Sequence, residues 1–168
     1  MVTIEQVDAL ADREVADLAE ILIGVVAEGY SIGYMTPPTV EDATAYWKGI
    51  IGPNIRLLLA KSGDRVVGTA QLELATRENG LHRAEVNKVL VHPDHHGQGI
   101  GKRLMVEIEA LARREGRTLL YLDTNENDPA NEFYGRTGWT KAGTIPNWAG
   151  SPRDGQVHGT TFYYELLD

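Results

Sequence analysis

Residues 89–104 read VLVHPDHHGQGIGKRL and carry the strongest chemical signal in the chain. An apolar, β-forming run enters a loop containing Gly97, Gly99 and Gly101, and residues of helical spacing follow. Glycine lets a backbone turn tightly and approach a ligand without interference from a Cβ. The first amides of a helix have no intrahelical acceptor and sit at the positive end of its dipole. Such a terminus binds phosphate or pyrophosphate, and Lys102 adds a full positive charge. Other phosphate loops fit less well. A Walker A loop requires glycine where His96 stands and Ser or Thr where Arg103 stands. The dinucleotide spacing G-x-G-x-x-G is replaced by G-x-G-x-G. A glycine-rich turn without a ligand is the plain alternative.

His92, Asp94, His95 and His96 cluster in the same loop. They surround Pro93 and lack a helical i, i+4 histidine pair, so they read as a solvated turn and no metal is expected. Trp47, Trp139 and Trp148 read as core or rim packing, not as a platform for nucleic acid bases.

Positioning the glycine loop requires a strand before it and a helix after it. Residues 82–91 predict the strand, which Pro93 ends, and Ile100, Leu104, Ile108 and Leu111 predict the helix, which Gly116 stops. Residues 118–123 (TLLYLD) then form a short buried strand. Strand, helix, strand implies a parallel pair with a right-handed crossover, a common place for a ligand cleft. Upstream, alternation over Val2–Val7 predicts a strand, and residues 8–28 a helix with Leu18, Leu22 and Val25 on one face. Residues 29–38 form a Gly/Pro-punctuated loop, and Thr39 caps a second helix reaching about Ile50. Strands over 55–60 and 65–75 join by tight turns at 62–64 and 77–80. A short helix over 129–136 and closing strands over 139–145 and 159–167 complete the chain. The expected fold class is α/β (α+β), a mixed, mostly antiparallel sheet in a single domain over 1–168.

Sixteen basic against twenty-four acidic side chains give a formal charge of -8, which repels nucleic acid backbones and attracts cations. The absence of cysteine excludes disulfides, thiolate nucleophiles and sulfur-ligated metals. Neither a signal pattern nor a membrane-length apolar run is read, so no membrane partner and a cytoplasmic location are expected.

The 82–139 segment resembles the GNAT superfamily of N-acetyltransferases. That family has a loop of form Q/R-x-x-G-x-G/A between a strand and a helix; here it is His96-Gly97-Gln98-Gly99-Ile100-Gly101, with His for Gln or Arg. A second block pairs Asn127, Ala130 and Tyr134 with Gly138-Trp139. The resemblance implies the acyl-CoA N-acyltransferase fold, with a splayed parallel strand pair. It implies acetyl-CoA as co-substrate, its pyrophosphate held by the amides of Gln98, Gly99, Gly101 and Lys102. Asn127, Ala130 and Tyr134 extend that contact, and the amides of Val89, Leu90 and Val91 face the acetyl oxygen. Short stretches, GYSIGYM (29–35), NGLHRAEVNK (79–88), LDT (122–124) and the region of His158, are similar to the family's tabtoxin-resistance branch. That branch acts on a toxin with an amino-acid amine. Many members pair as homodimers, and the same is expected here.

An ammonium cannot attack a thioester, and alkyl amines are mostly protonated near neutral pH, so the reaction needs a base. By family position, Glu85 is the leading candidate and Asp123 the second. Tyr134 matches the general acid that protonates the leaving thiolate. Tyr30, Ser31, Tyr34 and His158 are candidate contacts for the acceptor, expected to be a primary amine on a small molecule. A protein or peptide acceptor, a non-catalytic acyl-CoA sensor and a nucleotide-binding switch are the rivals.

Overall fold

The structure is a computed structural model describing residues 1–168. Its elements run β1 (Val2–Val7), α1 (Asp12–Ala27), α2 (Val40–Lys48), β2 (Ile55–Ser62), β3 (Arg65–Leu74), β4 (Arg83–Val91), α3 (Ile100–Arg114), β5 (Leu119–Asn125), α4 (Ala130–Arg136), β6 (Thr140–Gly150) and β7 (Val157–Leu166). One sheet holds all seven strands in the order β1-β2-β3-β4-β5-β7-β6. Every pairing is antiparallel except β4 with β5, which α3 joins by a crossover.

Side-chain alternation divides the interior in two. Leu58 and Ala60 of β2 face α3, whose Ile100, Leu104, Ile108 and Leu111 fill one core with Leu72, Val86 and Leu120. Leu57 and Leu59 face the opposite side, where Leu18 and Leu22 of α1 and Trp47 of α2 close a second core. The crossover helix is therefore clamped along its length, which fixes the position of its N-terminus. No helix is long and apolar enough to cross a membrane.

Two boundaries differ from the sequence reading by four residues or more. Helix α1 starts at Asp12, four residues later than the apolar pattern suggested. Ala11 is extended, and the Glu14 carboxylate accepts its amide at 2.8 Å, which supplies one half of a capping box. Strand β6 does not stop at Ile145 but continues through Pro146 to Gly150. It is an edge strand, where proline's missing N–H breaks no ladder.

Gly99 caps α3 at φ 75°, and a Cβ there would meet nothing within 4 Å. Its requirement is therefore conformational, not steric. Gly99→Ala should destabilise the fold by about 1–2 kcal/mol, the cost of a left-handed L-residue. A thermal melt should register about 2–4 °C of lowered Tm for each kcal/mol.

Candidate active site

The amides from Gly97 to Lys102 donate to no backbone carbonyl; the first helical bond of α3 runs from the Arg103 amide to the Gly99 carbonyl at 3.1 Å. Gly97 and Gly99 both lie at positive φ, and the turn they make directs these amides outward at the positive end of α3. The orphaned donors and the open space above the glycines suit a diphosphate. Gly101 and Lys102 line a cleft of about 950 Å³, while Arg103 turns away to the Val2 carbonyl at 2.8 Å. Gln98 folds back onto His95 and the Asp94 carbonyl and does not line the cleft. His96 does, and its Nε2 lies 2.9 Å from the Val91 carbonyl, tying the loop to β4.

The cleft exists because β4 and β5 pair only briefly. Their register is Arg83–Leu119, Ala84–Leu120 and Glu85–Tyr121, after which the strands part. On its other side β4 bulges, since Thr69 pairs with Leu90 and Gln71 with Asn87, leaving Ala70 opposite both Lys88 and Val89. Lys88 takes up the extra residue at φ 49°. A bulge of this kind leaves a backbone group unpaired. Val89, Leu90 and Val91 line the cleft beyond it, and Ile100, Ala130 and Tyr134 face them. Asn127 is absent from that lining; its side chain bonds His158 at 3.0 Å.

The carboxylates occupy two settings. Asp123 lines the cleft and accepts from the Thr160 hydroxyl at 3.2 Å. Glu85 lies off the lining, partly buried, and accepts from the Tyr121 hydroxyl at 3.1 Å. Burial is the main cause that pushes its carboxyl above the usual range; Glu73 and Asp123 add repulsion, against the Tyr121 bond and Lys88. Burial also lowers the Lys88 ammonium, whose Nζ donates to the Ile32 carbonyl at 3.1 Å. The Tyr121 hydroxyl is pushed up to about 12 by burial and by Glu85. The Tyr134 ring is buried at the cleft wall. Burial first, then Asp123 and Tyr163, hold its hydroxyl well above the ordinary tyrosine value.

On the acceptor side, Tyr30 and Ser31 line the cleft, whereas Tyr34 packs against the α1–α2 core. His158 stands outside the lining between Asn127 and Asp154, the latter at 2.8 Å. Asp128 and Trp148 also line the cleft, and neither is a sequence candidate for the site. The Asp128 side chain is only 9% exposed and faces Arg153 at 3.9 Å. Burial raises its carboxyl, against Arg153 and the Ser31 amide. Trp148 is 52% exposed, unlike the buried Trp47 and Trp139. Asp128 lies within the second block but is not one of its defining residues, and Trp148 lies outside both blocks, so no local signal marks either. His92 and His95 of the histidine loop bond to Glu20 and Gln98, and no group of three or more His, Cys, Asp or Glu gathers to hold a metal.

The sequence matches the acetyltransferase (GNAT) family over residues 24–139. It is 34% identical over 128 residues to an N-acetyltransferase encoded in the hisH-hisA intergenic region of Azospirillum brasilense, covering 74% of this chain and 76% of that one. It is 33% identical over 98 residues to an aminoalkylphosphonate N-acetyltransferase of Salmonella typhimurium, covering 55% of this chain and 62% of that one. In fold it resembles yncA of Salmonella typhimurium, solved with its cofactor acetyl-CoA, with a TM-score of 0.78 and 20% identity. That match covers 99% of this chain and 94% of the other. The splayed β4–β5 cleft, the glycine-capped α3 and the sequence match lead to one assignment: this chain belongs to the GNAT family of acetyltransferases.

Proposed function

We propose that this acetyltransferase binds acetyl-CoA along α3 and α4 and transfers the acetyl group directly to a primary amine of a small molecule. The observation that carries the reading is the run of unpartnered amides at the α3 terminus, opening onto the gap between β4 and β5. Those amides and Lys102 hold the diphosphate, and Ala130 and Tyr134 flank the pantetheine arm. Acetyl-CoA supplies an activated thioester. Asp123, at the cleft wall, holds the incoming ammonium. Glu85 takes one of its protons through a bridging water, because its carboxyl stands off the lining. The elevated affinity of Glu85 for a proton suits a general base working nearer neutral pH. The freed nitrogen lone pair forms the new C–N bond, and the β4 bulge turns backbone donors toward the carbonyl oxygen where charge builds. The C–S bond breaks, and the Tyr134 hydroxyl gives its proton to the departing sulfur. No covalent enzyme intermediate is needed.

The cleft's carboxylates and the acidic surface support a cationic small acceptor, and the tabtoxin-resistance likeness extends the proposal to an antibiotic or toxin amine. The test is thiol release from acetyl-CoA across a panel of small amines and a panel of peptides. Turnover with small amines is expected. Activity confined to peptides would point to a protein acceptor, and binding without turnover on either panel would point to a sensor.

A further inference from the structure

Strand β6 gives up its ladder in order to present one side chain. Ile145 pairs with Thr160 and Ala149 with His158, so Pro146, Asn147 and Trp148 face the single residue Gly159. Asn147 absorbs the extra length at φ 53°, a left-handed conformation that asparagine tolerates better than most residues. Gly159 admits the bulge, since a Cβ there would stand 2.9 Å from the Ile145 carbonyl oxygen. Strained backbone maintained by its surroundings is a reason to ask what it presents.

It presents Trp148 to the cleft, 52% exposed. The indole meets the Phe162 ring edge-on, with centroids 5.6 Å apart and planes at 90°. Phe162 is the cross-strand partner of Asp123, so the two side chains share a face of the sheet as near neighbours. An aromatic wall thus adjoins the carboxylate that receives the amine. Tyr30 and Ile32 add further apolar surface to the cleft lining. The nearby cations are engaged: Lys88 on the Ile32 carbonyl and Arg153 against Asp128.

The geometry points to Trp148 as a specificity-determining residue whose indole takes the carbon body of an arylalkyl primary amine, placing the nitrogen at Asp123. This rests on the transfer reading above and refines it by naming the acceptor class. An aromatic ring gains from stacking beyond the area it buries, whereas a compact alkyl amine reaches Asp123 without touching the indole.

The test is steady-state acetylation of phenethylamine and of ethylamine by the wild-type protein, W148F and W148A, paired with an amine-binding titration read by tryptophan fluorescence. W148A should raise KM for phenethylamine about tenfold, a typical loss for one aromatic contact. The KM values for ethylamine and acetyl-CoA should not change, and W148F should restore most of the loss. Equal effects on both amines, or none, would overturn the assignment. Because Trp47 and Trp139 are buried, phenethylamine should produce a saturable fluorescence change in the wild type and none in W148F. If no amine were acetylated, the transfer reading would fall. The titration would still decide the indole's role, and a signal that persisted in W148F, or was missing from the wild type, would reject it.

Discussion

Glu85→Gln lowers kcat for acetyl transfer by about 10²–10⁴-fold, the usual contribution of a positioned general base, and leaves the Kd of acetyl-CoA unchanged. The side chain keeps its size and its contact with Tyr121 but can no longer accept a proton. Burial, Glu73 and Asp123 raise the wild-type carboxyl, so Glu85 is protonated at a higher pH than an ordinary glutamate. The active, ionised form is therefore lost as pH falls through that elevated value. The acid limb of the wild-type kcat/KM profile should lie above the usual carboxylate range, and the limb should vanish in Glu85→Gln. Asp123→Asn makes a distinguishable change. Removing the Asp123 charge relieves repulsion on Glu85, so the limb should move to lower pH while KM for the amine rises. A profile identical in all three proteins would remove Glu85 from the mechanism.

Tyr134→Phe produces the second large effect, a fall in kcat of about 10²–10⁴-fold for loss of a general acid. Burial, Asp123 and Tyr163 all disfavour the phenolate, so the hydroxyl carries its proton across the working range. It can then serve as a donor to a departing thiolate. The ring packs between Phe133, Trp139 and Tyr163, and phenylalanine preserves each of those contacts. The melting temperature should therefore change little while turnover collapses. Use of a better leaving group, such as an aryl thioester, should narrow the gap between the two proteins, since such a thiolate needs no proton to depart. A normal kcat in Tyr134→Phe would show that the hydroxyl is dispensable.

The parts of the site that were legible in the sequence are those fixed by local chemistry. Gly97, Gly99 and Gly101 announce a tight turn, and Ile100, Leu104, Ile108 and Leu111 announce the helix behind it, because both signals lie within a few residues of one another. The parallel β4–β5 pair followed from strand, helix, strand order and the handedness of crossovers. What escaped depends on partners distant in the chain. The bulge at Lys88 is a matter of register against Ala70, and lysine is not a residue that advertises a left-handed turn. Asp128 looks like any loop carboxylate until Arg153 comes to face it. Pro146 and Asn147 read as the end of a strand, yet at the sheet edge they carry it onward and deliver Trp148. Glu85 was placed in the site by family position. In the structure Glu85 stands off the cleft lining, which Asp123 joins.

A crystal structure of this protein grown with acetyl-CoA tests the central claim most directly. The account predicts diphosphate oxygens within hydrogen-bonding distance of the Gly99 to Lys102 amides, and the acetyl carbonyl beside the Lys88–Val89 bulge with Asp123 across the gap. A diphosphate bound elsewhere, or a thioester directed away from the β4–β5 opening, would contradict it.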